Sequence, residues 1–524
     1  MPSELTAAGA ARASGGLLFY VVIALLAFAA AGWVVAATRA WGLGVSPDSV
    51  TYLTTAEQFA RGWGFLPQEE TAELATPHFP PLFPMALAAV SVVDDDLRVV
   101  ARWLGVALMA VNVVLVALLG ARAAGRVGAC VVALLVATND AMLDAHAWLL
   151  SEPLAIAFTL AALLLLTDGI TPATSRKRRR WLLFCAALAT AAACLTRYAA
   201  ISLIAAGMLA IVFAHHATWR QRLVEAVTYA VIATAPLGLW VLRNRMLAGT
   251  GTNRRLSWNG ISKRHWEQLG DAVERWASLP QSGWALLIAS VAAAVGVGVA
   301  VFVLRRRVAR PATGANATQR DAERIAVLRP LLLFAGCYAA LVLTTVAFLD
   351  RSTPLDSRIL LPLQVSLAIP AMTLGWTLLS GMRHGPVIAV GVVAFMTAAG
   401  VTGSISLAND LAADGHGFTA RWWTQSPTLK YAGTIPTAQP IYSNAPEVLY
   451  VHLRRPARLL ARGSDPDLAR RLRWEGARVV WFDRYKRSGS LDAESVLVRK
   501  LGLVRIARTG DGSIYQAGPA SPAP

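Results

Sequence analysis

The stretch GVSPDSVTYLTTAEQFARGWGF, residues 44–65, closely follows the first long apolar run of the chain, GLLFYVVIALLAFAAAGWVVAA at residues 16–37. A run of about 20 apolar residues is long enough to cross a lipid bilayer as a helix. After it, Ser46 as N-cap, Pro47 as the first helical residue and Asp48 in the first turn predict that a second helix begins. The fold therefore starts with a membrane helix and a shorter helix outside the membrane.

The composition of the whole chain is typical of a membrane protein. Of its 524 residues, 56% are hydrophobic and only 15% are charged, and the mean hydropathy is +0.50. The net charge of +18 is also typical of nucleic-acid binding, but Lys and Arg lie in short loops beside the apolar runs and in the C-terminal tail. No basic domain with interleaved aromatic residues accompanies them. The basic residues are therefore expected to contact anionic membrane lipids, and no binding of nucleic acid is expected.

The cysteines and the N-terminus give no sign of a metal site or of a cleaved leader. The cysteines, all inside apolar runs, are Cys130, Cys185, Cys194 and Cys337. Without metal-ligand spacing they are expected to pack as small hydrophobic side chains, and no metal or other cofactor is predicted. The run at 16–37 is too long for the core of a signal peptide, so we expect a retained helix behind a cytoplasmic tail, residues 1–15.

About eleven crossings are predicted, which makes the chain an α-helical polytopic membrane protein. They lie near residues 16–37, 99–119, 127–139, 149–167, 181–195, 199–214, 223–242, 282–304, 329–349, 358–380 and 386–407. Together they form a transmembrane domain, 16–407, with a first outer loop at 38–98. The basic loops fall on one side if the N-terminus is cytoplasmic, as the positive-inside rule requires. The odd number of crossings then places the C-terminal tail outside the cell.

One outer segment is an exception to the charge rule. RNRMLAGTGTNRRLSWNGISKRHW, residues 243–266, carries six Lys and Arg side chains on the side expected to be poor in them. Either the predicted topology is wrong at this loop, or the loop binds an anion. Reversing the loop would misplace SRKRRR at 175–180 or the long 305–328 loop, which favours the anion site.

The tail, residues 408–524, is predicted to be a small extracytoplasmic α/β domain. Short strands are expected at QPIYSN, ARLLA, ARVVWFD and LVRIART, and helices at APEVLYVHL, DPDLARRLRW and LDAESVLVRKLG. The chain has no internal repeat and no Gly-rich phosphate loop.

The helix that begins at Pro47 is amphipathic. Tyr52, Leu53, Ala56, Phe59 and Ala60 lie on one apolar stripe, and Gly62 is a natural end. We expect this helix to lie along the outer membrane surface, with Asp48 at its start. An acid there stabilises the helix dipole in any case, so the position of Asp48 fits both a structural and a catalytic role.

Other candidate residues fall on the same predicted face. Glu152 and Asp144 lie in NDAMLDAHAWLLSEPL, and Arg197, Arg358 and Arg243 lie at the outer ends of apolar spans. Each arginine can extend to the lipid head groups, and Glu152 can serve as a helix-start acid. Together, however, the arginines offer planar forks of donors that suit a phosphate.

This combination indicates a reaction type. Acids on the outer face can activate or orient an acceptor, and arginines can stabilise a phosphate as the bond to it breaks. The expected reaction is transfer of a group from a membrane-bound phosphate lipid. Tyr52 of the first-loop helix and His78 of the stretch TPHFPPLFP are candidate substrate contacts. His78 has no second histidine at ligand spacing, so no metal site is predicted there.

Several stretches of the sequence, taken in order, resemble those of a known family. SPDSVTYLTTAEQFARGWGF, PHFPPLFPMAL, SEPLAIAF, LTRYAA, the RN of residues 243–244 and DSRILLPL follow one another as in bacterial class C (GT-C) glycosyltransferases. The nearest groups are the protein O-mannosyltransferase-like and aminoarabinose-transferase-like proteins, and the resemblance covers about residues 16–407. It implies a bacterial plasma-membrane enzyme that uses a polyprenyl-phosphate sugar as donor and inverts the configuration at the anomeric carbon of that sugar. It also implies catalytic acids at Asp48 and at Glu152 or Asp144.

Two departures leave the acceptor open. O-mannosyltransferases tend to have two adjacent acids in the first loop, whereas Ser49 follows Asp48 here, and no motif that reads a glycosylation sequon is present. The acceptor is therefore a protein, a lipid or a glycan. The alternatives to a transferase are a transporter or flippase of a lipid-linked precursor and a non-catalytic scaffold. A transporter would be expected to have two matching halves with charges near mid-membrane, and the sequence shows neither.

Overall fold

The computed structural model describes residues 2–64, 79–92, 94, 96–214, 217–248, 257–277, 315–379, 382–460, 467–485 and 493–518, of which 2–15, 248 and 315–326 are described in the backbone alone. The chain divides into two compact units. Unit 1 consists of Met1–Ala37, Pro77–Phe83 and Arg102–Asn409. Unit 2 consists of Thr38–Thr76, Pro84–Ala101 and Asp410–Pro524. The first outer loop is thus mostly part of the same unit as the C-terminal tail, whereas the sequence grouped it with the transmembrane domain.

The described helices are α1 (Pro2–Ala37), α2 (Pro47–Ala60), α3 (Leu82–Val90), α4 (Leu97–Ala137), α5 (Asp140–Ala147), α6 (Glu152–Ile170), α7 (Arg176–Thr196), α8 (Ile201–Val212), α9 (Trp219–Ala248), α10 (Lys263–Trp276), α11 (Ala315–Thr344), α12 (Ser357–Leu379), α13 (Gly385–Asp414), α14 (Arg421–Thr424), α15 (Pro427–Thr434), α16 (Pro446–Leu453), α17 (Leu468–Trp474) and α18 (Glu494–Leu501). The strands are β1 (Ile441–Ser443), β2 (Arg458–Leu459), β3 (Arg478–Phe482), β4 (Leu503–Arg508) and β5 (Gly512–Ala517).

Eight of the described helices are long and apolar enough to cross a membrane. These spans are Gly16–Ala37, Leu97–Ala137, Glu152–Ile170, Arg176–Thr196, Trp219–Leu247, Val327–Leu349, Ser357–Leu379 and Gly385–Asp414. The stretch Tyr198–Val212 is a shorter apolar helix, and the predicted crossing at 282–304 lies outside the described residues. The protein is therefore a multi-pass, α-helical membrane protein, as the sequence predicts.

Helix α4 contains a break that separates two predicted crossings. Its 41 residues would extend about 60 Å as one straight helix, far more than a bilayer requires. Gly125, however, has φ 72° and ψ −175°, a backbone conformation that a residue without Cβ adopts readily. A Cβ added at Gly120 would lie 3.1 Å from Cα of Ala129, so the segments on the two sides of the break pack closely. The predicted crossings at 99–119 and 127–139 correspond to these two segments.

Helix α6 is the most buried of the spans in unit 1. It contacts α5, α7, α8, α11 and α12, and 72% of its most apolar window is buried. Its sequence, EPLAIAFTLAALLLLTDGI, is apolar on all sides, as expected for a helix enclosed by others. The first residue of this central helix is Glu152, so the fold places that acid among several neighbouring elements.

Unit 2 contains a five-stranded mixed sheet with the order β2-β1-β3-β5-β4. Strand β1 is parallel to β2 and β3, whereas β5 is antiparallel to β3 and β4. The four predicted strands and three predicted helices of the tail are all present. The sequence did not predict β5, α14 or α15, although the Asp-Gly at 511–512 is a common signal of the hairpin that joins β4 to β5.

The sheet has an apolar core on each face, because successive strand residues point to opposite sides. Val480 and Ile514 pack with α15 and α16 on one face, and Val479 and Tyr515 pack with α17 and α18 on the other. This two-sided burial confirms a small α/β domain.

The first-loop helix α2 packs into unit 2. Ser46 caps it as predicted and forms a capping box with Ser49, and the helix ends before Gly62. Val50 belongs to the same core as α15 and α16, and Tyr52 and Leu53 are also buried. The expectation that this stripe lies on the membrane surface is therefore wrong for Tyr52, Leu53 and Ala56, which protein covers, whereas Ala60 at the end of the helix is exposed.

Candidate functional site

The candidate site is centred on Glu152 in unit 1. Ser151 is the N-cap of α6, and Pro153 follows Glu152 in the first turn, where a residue without a backbone N–H fits. Glu152 is only 1% exposed. A buried carboxylate requires a positive partner or hydrogen bonds, since removing an unpaired charge from water costs several kcal/mol, on the order of a whole side chain's burial.

Arg197 provides the first positive partner. It ends α7 in an extended conformation, with φ −148° and ψ 131°, before a short 3₁₀ turn leads into α8. Its Nη1 lies 2.8 Å from Oε1 of Glu152, and the same nitrogen donates to Oγ of Ser151 at 3.2 Å. The break between two apolar helices thus brings a guanidinium to the start of α6.

Arg358 provides the second positive partner, from the first turn of α12. The side chain of Asp356 accepts a hydrogen bond from the backbone N–H of Ile359 at 3.0 Å, which fixes the start of that helix. Nε of Arg358 lies 3.6 Å from Oε1 of Glu152, the oxygen that Arg197 also approaches. The Glu152 side chain is 2% exposed, but those of Arg197 and Arg358 are 24% and 31% exposed. The acid is enclosed, and both arginines keep surface with which to meet a ligand.

Tyr338 of α11 lies close to this cluster, and the sequence did not point to it. It is buried and close enough to interact electrostatically with Arg197 and Glu152, and its hydroxyl donates to the carbonyl of Ile359 at 2.6 Å. Tyr338 therefore joins α11 to the start of α12 beside Arg358. A tyrosine inside an apolar span carried no spacing signal that could have revealed this contact.

A second ion-pair cluster lies on α5, with Asp144 as one member. Nε of Arg275 lies 3.2 Å from Oδ2 of Asp140, and its Nη1 lies 3.3 Å from Oδ2 of Asp144. The indole of Trp148 donates to Asp144 at 3.2 Å. Burial lowers the pKa of Arg275, but the two carboxylates outweigh it and raise that pKa overall. Asp144 therefore has its partners in this cluster, and Glu152 has its own in the first.

His146 connects α5 to the start of α6. The ring is fully buried; its Nδ1 bonds to the carbonyl of Met142 at 2.7 Å, and its Nε2 bonds to Nδ2 of Asn112 at 3.0 Å. Asn112 also donates to the carbonyl of Pro153 at 3.1 Å. Burial lowers the pKa of His146 to about 4, so the ring is neutral near pH 7. The network fixes the corner that carries Glu152.

The chain is similar to solved structures, although the comparisons by sequence find no match. No protein-family model matches the sequence, and no curated protein matches it. Two crystal structures of ArnT, an aminoarabinose transferase from Cupriavidus metallidurans, match 97% of this chain and 100% of their own length. The apo structure is 14% identical with a TM-score of 0.60, and the structure bound to undecaprenyl phosphate is 15% identical with a TM-score of 0.55. The chain has a GT-C fold.

A more distant match is the archaeal oligosaccharyltransferase AglB from Archaeoglobus fulgidus, in complex with an inhibitory peptide and a dolichol-phosphate. It is 12% identical, has a TM-score of 0.49, and covers 84% of this chain and 64% of its own.

Within the GT-C fold, Arg243 is linked to the Glu152 cluster through aromatic side chains. Its guanidinium lies over the ring of Trp240, 4.9 Å from the centroid, and the Trp240 indole donates to the hydroxyl of Tyr198 at 3.2 Å. Tyr198 directly follows Arg197. The structure thus connects all three arginines that the sequence singled out to the region around the start of α6.

The remaining predicted residues lie elsewhere in the GT-C fold or outside the described part. Asp48 and Tyr52 are in unit 2, where Asp48 is in the first turn of α2 and Tyr52 is 2% exposed. His78 lies outside the described residues. Among the described side chains, no group of three His, Cys, Asp or Glu is placed to hold a metal ion.

Proposed function

We propose that this protein is a membrane glycosyltransferase that moves a sugar from a polyprenyl-phosphate donor to an acceptor at the extracytoplasmic face, with inversion at the sugar. The observation that carries this proposal is the buried Glu152 held between two partly exposed arginines in a GT-C fold. Within these two ion pairs, one carboxylate and two partly exposed guanidiniums leave an excess positive charge, which suits an anionic ligand. The ArnT structure with undecaprenyl phosphate supports a polyprenyl phosphate as that ligand.

In this proposal the arginines bind the donor. Arg197 and Arg358 meet the phosphate oxygens, and Arg243 adds charge from α9. As the acceptor attacks the anomeric carbon, the bond from that carbon to the phosphate oxygen breaks and its electron pair stays on the phosphate. The negative charge that develops there is stabilised by the guanidiniums, which is the usual way in which fixed cations accelerate such a step.

The acids act on the acceptor side. Asp48 takes the proton from the attacking group, and Glu152 orients the arginines and the sugar. Asp144, Tyr52 and His78 are substrate contacts in this proposal. The acceptor belongs to one of three classes, a protein, a lipid or a glycan.

The decisive experiment is Asp48→Asn in purified protein reconstituted into proteoliposomes. Release of polyprenyl phosphate is measured against a panel of undecaprenyl-phosphate sugars with extracted envelope acceptors. Loss of a general base is expected to lower turnover by roughly 100-fold or more. The matched control is Asp414→Asn, which removes an exposed acid of the same unit.

Two results would contradict the proposal in different ways. Full turnover in Asp48→Asn would exclude Asp48 as the base. Movement of the donor across the bilayer by the wild-type protein, without any release of polyprenyl phosphate, would favour a flippase instead of a transferase.

The proposed topology has the N-terminus in the cytoplasm and the C-terminal domain outside. Ser257 belongs to the basic outer loop and is exposed. In a variant whose native cysteines are replaced, Ser257→Cys should react with an impermeant maleimide in intact cells. Labelling that requires lysis would reverse the placement of this loop.

A further inference from the structure

Helix α10 takes no part in the proposed chemistry, yet it is held in place by many polar contacts. One face of this helix is buried, at His265, Gly270, Ala272 and Glu274, and the other is exposed, at Arg264 among others. A surface helix needs only its apolar stripe to pack. The additional ionic contacts of α10 therefore call for an explanation.

The C-terminal end of α10 is joined to α5. Arg275 lies within 3.3 Å of both Asp140 and Asp144, and its backbone carbonyl accepts from Nδ2 of Asn139 at 3.3 Å. Asn139 is the N-cap of α5, and its Oδ1 in turn accepts from Nε2 of Gln364 on α12 at 3.1 Å. One end of α10 thus contacts α5 directly and α12 through one amide.

The N-terminal half of α10 is joined to the segment that leads into α12. Nδ1 of His265 accepts from the backbone N–H of Ser262 at 3.1 Å, so Nε2 carries the proton and donates to the carbonyl of Arg351 at 3.2 Å. The side chain of Gln268 accepts from the backbone N–H of Leu355 at 3.2 Å. Leu355 is followed by Asp356, which fixes the first turn of α12.

These two sets of contacts end on the two elements that form the Glu152 site. Helix α5 continues through Trp148 and Ser151 into Glu152, and the segment at 351–356 continues into Arg358. We propose that Arg275 is a positioning residue: it holds α10 as a brace that sets the distance between Glu152 and Arg358. This inference rests on the proposed function, since it concerns the affinity of the same site for a polyprenyl phosphate.

The charges explain why this brace depends on one residue. Asp140 and Asp144 are four residues apart on one helix, so they are neighbours on its surface and repel each other when both are ionised. Arg275 cancels that repulsion and ties α5 to α10 at the same time. Arg275→Ala removes both effects, whereas Arg275→Ala with Asp140→Asn, which leaves a single carboxylate, removes the tie alone.

The experiment measures binding of undecaprenyl phosphate by the full-length protein in nanodiscs, together with its melting temperature. In Arg275→Ala we expect the dissociation constant to rise about tenfold, a usual size for the coupling between linked groups. This double variant should melt near the wild-type temperature but still bind the lipid about tenfold more weakly. Arg275→Lys, which can pair with one carboxylate, should lie between, and Glu267→Gln, at an exposed residue of α10 outside the basic loop, should bind as the wild type does.

If the double variant recovers both melting temperature and affinity, Arg275 has a purely structural role and the inference is wrong. A ligand-free measurement separates this from failure of the proposed function. Amide hydrogen exchange at residues 148–153 and 355–360 should accelerate in Arg275→Ala and stay unchanged in Glu267→Gln. Unchanged exchange in both would overturn the brace, whereas wild-type protein that binds no undecaprenyl phosphate would overturn the proposed function and leave the brace standing.

Discussion

The two ion-pair clusters of unit 1 have opposite compositions. The Glu152 cluster has one carboxylate and two arginines, and its carboxylate is almost completely buried. The Arg275 cluster has one arginine and two carboxylates, all between 22% and 25% exposed. The first has an excess of positive charge next to accessible guanidiniums, and the second has an arginine whose charge is used within the protein. Similar side chains can thus form a place for an anion or a structural tie, depending on which sign is in excess.

The largest effect should come from breaking the first cluster at its centre. Glu152→Gln keeps the shape of the side chain but leaves two arginines without their shared partner. Breaking a buried pair in this way typically costs about 3 kcal/mol, and turnover should fall by roughly 100-fold or more. Chemical denaturation and the polyprenyl-phosphate release assay measure these two effects.

The comparator is Asp140→Asn in the second cluster, where Asp144 still neutralises Arg275. Its cost should be about 1 kcal/mol or less, because these side chains are partly solvated. Equal losses of stability in Glu152→Gln and Asp140→Asn would remove the distinction between the clusters.

A smaller effect should separate the two arginines of the site. Arg197 is closer to Glu152 than Arg358 is, 2.8 Å against 3.6 Å, and also bonds to Ser151. Arg358→Ala should therefore weaken donor binding by roughly 10- to 100-fold, the value of one or two charge-assisted hydrogen bonds, with little loss of stability. Arg197→Ala should lower both the affinity for the donor and the stability of the protein. Titration with undecaprenyl phosphate and melting curves test this, and identical behaviour of the two variants would contradict it.

The last effect depends on pH and concerns His146, which lies between the two clusters. His146 has a pKa near 4 in the folded protein and 6.5 ordinarily, so the unfolded chain binds a proton more readily. The contribution of the neutral His146 ring to the free energy of unfolding is therefore fully present above pH 6.5. This contribution is lost as the pH falls toward 4, by about 2 kcal/mol at pH 5. His146→Gln, which has no titrating ring, should show a flatter stability profile between pH 7 and 5, and parallel profiles would exclude this histidine as the cause.

Local signals in the sequence were enough for many elements. The start of α2 at Ser46 and Pro47 and the strands β1 to β4 follow from caps and alternation within a few residues. The GT-C resemblance, based on short pieces in order, is confirmed as a fold by the ArnT structures.

Long-range partners could not be predicted in the same way. Arg275 is 135 and 131 residues from its two acids, and no spacing rule connects them. The sequence placed Glu152, Arg197 and Arg358 on one predicted face, and only the folded chain shows that both arginines approach one carboxylate oxygen. The burial of α2 was missed for the same reason, since its apolar partner comes from the far end of the chain. The catalytic and binding roles of all the candidate residues stay predictions: Asp48, Glu152, Asp144, Tyr52, His78, Arg197, Arg243 and Arg358.

The contact between the first loop and the tail has a consequence for protein engineering. Val45 forms a parallel bridge with Gly417, Val50 lies in the core of the tail, and Arg454 pairs with both Glu57 and Asp96. A chimera that exchanged only the C-terminal domain between two such proteins would therefore graft only part of a folding unit. The region that has to be transplanted includes the first loop as well as the tail. The same two segments are expected to diverge together among relatives.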